Sequence, residues 1–238
     1  MPTEREEQVV TAEELTYPGH DGPVVATLVR PPGPTSGGVL IAHGGSDDGR
    51  RFFLSEAREL SEAGLTVLLP VTRLPQHGDI AASAAALRRA VGNARRGVEL
   101  LAEHTRTDRL CYFGHSGGAA TGVLVAAAEP RLSRLVLAGI GNGTVVRVAR
   151  ADLRRAAHPA AEEYLDFLDQ YDTRHHIGRF AGRLLIQYGR NDDTVTADEA
   201  EQLRAAARPG ARWAVYDDGH GLAEPPARRD RKAFLLEP

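Results

Sequence analysis

Short, almost uninterrupted apolar runs recur along the chain, separated by longer stretches whose apolar residues fall every third or fourth position. Val39-Leu40-Ile41-Ala42, Leu65 to Leu69, Leu110-Cys111-Tyr112-Phe113, Leu132 to Ala138 and Leu184 to Tyr188 are the runs. Near-continuous apolar strands of this length belong to parallel sheets buried on both faces. Between them, Arg51 to Ala63 reads as a helix closed by Gly64. Asp79 precedes a long helix in which Ile80, Ala84, Leu87, Val91, Ala94, Val98 and Leu101 form one continuous apolar face. Arg88, Arg89, Arg95 and Arg96 lie off that face and read as its solvated side. Ala119 to Ala128 is a small-residue helix, and Thr196 with Glu199 is a capping box for another. Thr11 to Tyr17 and Pro23 to Arg30 read as strands joined at Gly19-His20-Asp21-Gly22, and Arg212 to Tyr216 as the last strand. Alternating strands and helices predict an α/β fold, a mostly parallel central sheet flanked by helices.

One segment breaks the alternation. Residues 141–182 separate two strands, and within them Pro159 to Tyr171 has the period of a helix. The segment reads either as a small cap inserted over the sheet or as a surface helix bridging two strands. With no repeat and no low-complexity stretch, residues 1–238 are expected to form one domain, with 141–182 as its possible cap.

Composition narrows the classes. The chain has 238 residues, 42% hydrophobic and 26% charged, enough for a sizeable core. A net charge of −3 gives no electrostatic reason to expect nucleic acid or an anionic membrane as a partner. One cysteine, Cys111, excludes an internal disulfide and reads as a buried strand residue. Met1 to Glu7 is polar, and no apolar run approaches membrane-spanning length, so a cytoplasmic protein, monomer or homodimer, is the expectation.

The chemistry concentrates after the strands. Leu110 to Phe113 runs into Gly114-His115-Ser116-Gly117-Gly118, a Gly-x-Ser-x-Gly pattern between strand and helix. In that context a serine sits on a sharp turn at a helix N-terminus, where developing negative charge is stabilised. A serine hydroxyl needs a base, and a histidine base needs an acid to orient it. The strand Leu184 to Tyr188 is followed by Gly189-Arg190-Asn191-Asp192-Asp193, and Ala214-Val215-Tyr216 by Asp217-Asp218-Gly219-His220. Loops after parallel strands share one edge of a sheet, so Ser116, an Asp of the 192–193 pair and His220 can converge. His43-Gly44-Gly45-Ser46, after the strand ending at Ala42, offers backbone N–H groups for an oxyanion, and the Gly117 N–H offers a second donor.

His43-Gly44-Gly45, Gly114-His115-Ser116-Gly117-Gly118, Gly189-x-x-Asp192 and Asp218-Gly219-His220 together resemble the α/β-hydrolase superfamily, over essentially the whole chain. The resemblance implies Gly45 as the first oxyanion donor and Asp192, rather than Asp193, as the acid. Within the superfamily the compact size and the Tyr171 to Val195 stretch look like dienelactone-hydrolase-like and acyl-esterase-like members. Dienelactone hydrolases carry Cys at the turn where this chain has Ser116, which argues against their reaction; an Asp nucleophile is excluded on the same ground. The expected function is hydrolysis of a small-molecule acyl substrate, first a carboxylic ester, through an acyl-serine, with no cofactor. A thioesterase, an acyl transferase or cyclase on the same triad, and a non-catalytic ligand-binding member are the alternatives.

The remaining candidates read as structural. His43 is expected to bond locally and His115 to point into the fold; Trp213 reads as core and His77 as a solvated loop residue. His175-His176 lacks a third ligand at metal spacing, so no metal is expected.

Overall fold

The computed structural model describes residues 9–45, 48–72 and 79–238. Among them, eight strands make one sheet in the order β1-β2-β4-β3-β5-β6-β7-β8. β1 (Thr11–Gly19) and β2 (Gly22–Arg30) form the antiparallel hairpin, and β2 pairs antiparallel with β4 (Leu65–Pro70). β3 (Gly37–Ala42), β5 (Leu110–His115), β6 (Leu132–Ala138), β7 (Arg183–Gly189) and β8 (Arg212–Tyr216) are parallel to one another and to β4.

The period-2 geometry of a strand divides each apolar run between two cores. Leu40, Leu110, Tyr112, Leu135 and Leu137 point to one face, where they meet Val98 and Leu101 of α2 (Ile80–Thr105) and Val123 of α3 (Gly117–Ala128). Their neighbours Val39, Ile41, Cys111, Phe113 and Val136 point to the other face, against Phe53 and Leu60 of α1 (Arg50–Glu62) and Phe234 of α8 (Pro225–Leu236). Cys111 is buried as expected. Both faces are covered, so the central strands carry no polar alternation.

Residues 141–182 contain more helix than the periodicity predicts. α4 (Thr144–Arg155) precedes α5 (Ala161–Asp169), and a short α6 (Thr173–His176) and a 3-10 turn at Ile177–Arg179 follow. Ala149 and Leu153 of α4 pack on Tyr164, Leu165 and Leu168 of α5, with Ile80 at the start of α2 against them. The face predicted for α2 is therefore not continuous. Its second half (Ala94, Val98, Leu101) packs on the sheet, whereas Ile80 faces α4 and α5, and Leu87 and Val91 are half-buried. α7 (Ala197–Ala206) starts from the capping box of Thr196 and Glu199. Trp213 is half-buried rather than core, stacked on Tyr188 with ring centroids 6.2 Å apart.

Candidate active site

Ser116 joins β5 directly to α3 at φ 54, ψ −122, a backbone conformation rare for a residue with a side chain. The crossing is so tight that a Cβ on Gly118 would lie 2.2 Å from the Ala42 carbonyl oxygen, and one on Gly114 2.5 Å from the Gly118 oxygen. Glycine is required at both positions. The Ser116 N–H donates to the Ala138 oxygen at 2.8 Å, which ties the turn to the end of β6.

Two further loops converge on it. Arg190 N–H donates to Tyr216 O at 2.8 Å and Asn191 N–H to Asp218 O at 3.0 Å, so the segments after β7 and β8 continue side by side beyond the sheet. This places His220 Nε2 3.0 Å from Ser116 Oγ, and His220 Nδ1 3.0 Å from each carboxylate oxygen of Asp192. The Asp192 carboxylate is fully buried, and Oδ1 also accepts the N–H groups of Thr194 and Val195, each at 2.8 Å. Burial alone pushes its pKa up; the bonds from His220 and from the two backbone N–H groups outweigh that and hold it below the ordinary aspartate value. Asp193 is exposed and, among the described residues, accepts only from Thr194 Oγ1 at 3.2 Å.

The flanking histidines have fixed tautomers. His43 is buried; its Nε2 accepts the Thr72 N–H at 3.2 Å, so Nδ1–H donates to the Gly44 oxygen at 3.0 Å. His115 Nε2–H donates to the backbone oxygen of His220 at 2.9 Å, with its ring against Phe52 and Phe53. Burial pushes His115 down to about 4, so it stays neutral and remains a donor. It thus holds the backbone of His220, a role that its place beside the serine did not announce.

Gly45 (φ +80), Ser116 and Gly117 line the mouth of a cavity of about 450 Å³. Ala120, Leu124, Val145, Val148, Tyr164 and Leu168 make its walls apolar, with α4 and α5 supplying four of them. Among the described residues the one carboxylate in the wall, Asp172, is buried and already accepts N–H groups from Gly143 at 2.7 Å and Arg174 at 3.2 Å.

Behind the site lies a network invisible in the sequence. Arg231, the largest fully buried side chain, donates from Nε and Nη2 to Glu56 at 2.6 and 2.9 Å, and from Nη1 to Gln187 Oε1 at 2.7 Å. It reaches Leu222 O, two residues past His220, at 3.2 Å, and lies 4.4 Å from the Phe113 ring centre. His77 and Ser46 lie outside the described residues. Among the described residues no group of three or more His, Cys, Asp or Glu side chains could hold a metal ion, and His176 Nε2 bonds Gln170 O at 2.9 Å instead. No described helix is long and apolar enough to cross a membrane.

A model of the prolyl oligopeptidase family matches residues 95–237, which span Ser116, Asp192 and His220. The chain belongs to the prolyl oligopeptidase family. It is a hydrolase of the α/β-hydrolase type, as the motif resemblance implied. No curated protein matches this family member significantly. Solved structures similar to it include an acetyl xylan esterase from Paenibacillus sp. R4 (TM-score 0.78, 17% identity, 99% of this chain and 86% of that one). A cold-adapted esterase from an Arctic intertidal metagenomic library gives TM-score 0.73 at 15% identity, over 98% of this chain and 95% of that one. The thioesterase domain from the curacin biosynthetic pathway gives 0.66 at 16%, over 95% and 99%. At these identities the likeness is one of fold. The prolyl oligopeptidase family member shares their sheet over nearly its full length.

Proposed function

We propose that the protein hydrolyses carboxylic esters through an acyl-Ser116 intermediate, with His220 as general base and acid, Asp192 as its orienting carboxylate and the N–H groups of Gly45 and Gly117 as the oxyanion hole. The observation that carries this reading is the unbroken chain of 3.0 Å contacts from Ser116 Oγ through both His220 nitrogens to Asp192. Nε2 of neutral His220 takes the serine proton as Oγ attacks the acyl carbon. The imidazolium that forms is stabilised by Asp192 and then gives the proton to the leaving alkoxide. Water, activated by the same Nε2, attacks the acyl-serine; the acid leaves and Ser116 regains its proton. The tetrahedral oxygen carries full charge only in transit, so fixed N–H donors favour that state over the ground state. Residues 141–182 act as the cap, and the apolar cavity beneath them takes the acyl group. No step calls on a cofactor.

The test is labelling by a fluorophosphonate probe together with turnover of p-nitrophenyl esters of graded chain length, beside acyl-CoA thioesters and aminoacyl anilides. Ester turnover and labelling that both vanish in Ser116→Ala support the reading. Labelling that survives in that variant, or ester turnover absent from a labelled wild type, overturns it.

A further inference from the structure

A second cavity of about 450 Å³ adjoins the first and shares Leu87, Leu124 and Tyr171 with it. The helix α3 runs past both. Gly117, Ala120, Thr121 and Leu124 line the cavity at Ser116; Leu124, Ala127 and Ala128 line the second. These positions recur at steps of three and four, so one face of α3 forms the floor from end to end. The eleven residue steps from Gly117 to Ala128 span about 16 Å. Glycine and alanines make up most of that face, and the two cavities meet at Leu87, Leu124 and Tyr171, the last 38% exposed.

The far cavity differs in charge. Its lining includes His20, Arg88, Arg95, His176 and Arg179, and no carboxylate among the described residues. Arg95 is engaged by Glu129 at 3.4 Å and His20 faces Asp21 at 3.8 Å, but no ion pair among the described residues takes Arg88 or Arg179. Two of the arginines expected on the solvated side of α2 therefore border a cleft. A net charge of −3 for the chain makes a cationic cleft a local arrangement rather than a share of a general excess. Guanidinium groups grip planar oxyanions through paired N–H donors.

We propose that this cleft is an anion subsite for the far end of the substrate, so that the ester taken by Ser116 carries a long acyl chain ending in a carboxylate or a phosphate. The proposal rests on Ser116 being the nucleophile. The α3 floor bounds the length. An extended chain advances about 1.2 Å per bond, so 16 Å corresponds to about 13 bonds, or a twelve-carbon acyl group. A four-carbon acyl group reaches only about 6 Å, near Ala120 and Thr121, and falls short of the arginines.

Binding measures the subsite without turnover. Calorimetry on the wild-type protein compares dodecanoate, dodecanedioate and 12-phosphonododecanoate; all carry the carboxylate expected near Ser116, and only the last two carry a distant anion. In parallel, kcat/KM is compared for p-nitrophenyl esters of four- and twelve-carbon acids with and without the terminal carboxylate. Two exposed charge pairs are worth roughly a three- to thirty-fold preference at low salt. The expected result is that preference for the doubly charged twelve-carbon ligands and ester, none at four carbons, and its loss in Arg88→Ala/Arg179→Ala with neutral-ester turnover retained. Stronger binding of one dianion than the other says which oxyanion the cleft suits. If neither dianion binds more tightly than dodecanoate and the terminal carboxylate gives no gain in kcat/KM at twelve carbons, or if the double variant keeps the preference, the proposal is overturned. Loss of fluorophosphonate labelling speaks against Ser116 instead, and the calorimetric comparison stands apart from it.

Discussion

Arg231→Met isolates the network behind His220. The guanidinium is 1% exposed and its partner Glu56 6%, so the substitution leaves a carboxylate buried with no cation beside it. It also strips Gln187 Oε1 and Leu222 O of a donor. Breaking a buried pair from one side costs about 3–5 kcal/mol, since the desolvation of the remaining charge is no longer offset. For a chain of this size each kcal/mol moves Tm by about 2–4 °C, so a fall of roughly 6–20 °C is expected. Glu56→Leu combined with Arg231→Met removes both charges and most of that penalty. The double variant is expected to recover at least half of the lost stability, about 1.5–2.5 kcal/mol, so that in a double-mutant cycle it costs less than the two single variants summed. Urea unfolding of wild type, the two single variants and the double variant measures it. Activity provides a second readout. Arg231 is the donor at Leu222 O, so the double variant is expected to be stable yet slower, with kcat falling more than KM rises. Additive single costs would refute the pairing as the source of stability. Unchanged kcat in the stable double variant would refute the role of Arg231 in holding the His220 loop.

Ser116→Ala is expected to lower kcat by roughly six orders of magnitude with unfolding unchanged, measured with p-nitrophenyl esters and urea. Asp192→Asn is expected to cost roughly 10⁴-fold in kcat, and Asp193→Asn little, since only Asp192 meets His220; the reverse order would exchange their roles. A Cβ at Gly45 meets no described atom within 4 Å, but φ +80 is strained for a β-branched residue, so Gly45→Val must shift the loop. The expected fall in kcat, about 10²–10³-fold, is that of losing one oxyanion donor, and a fully active variant would place the donor elsewhere. His115 binds fewer protons folded, with its value at about 4, than unfolded. Its contribution is therefore complete above ~6.5 and is lost as pH falls toward 4. His115→Gln is expected to flatten the stability profile in that window while its amide still reaches the His220 oxygen; an unchanged slope would contradict the burial argument.

What could be read from the chain follows from locality. The central strands were legible because burial on both faces keeps them almost wholly apolar, and the loops after β5 and β7 because Gly114 and Gly189 stand where backbones cross, a Cβ on either meeting backbone at 2.5 or 2.4 Å. Asp192 was separable from Asp193 only through the motif spacing, since nothing in a pair of adjacent aspartates says which one turns inward. α4 and α8 went unread. α4 buries little beyond Ala149 and Leu153 between arginines, and the buried stripe of α8 is Ala227, Arg231, Phe234 and Leu235, with a charge at a core position. That charge makes sense only with Glu56, 175 residues away, which no local pattern reports. The break in the apolar face of α2 has the same origin, because half of it answers to residues 141–182 rather than to the sheet.

The separation along the chain also governs when the protein becomes reactive. Ser116 lies 104 residues before the histidine that would activate it, and 28 residues part that histidine from Asp192. During synthesis from the N-terminus, β5 and α3 emerge long before β8, and domains assemble in that order. A ribosome-bound chain that has not yet extruded β8 carries the serine on its strained turn without a base. On the proposed triad such a chain is chemically silent, and covalent probe labelling would report completed assembly rather than the mere presence of the polypeptide. A single proteolytic cut between β7 and β8 that frees the last strand would silence the enzyme while leaving most of the sheet intact.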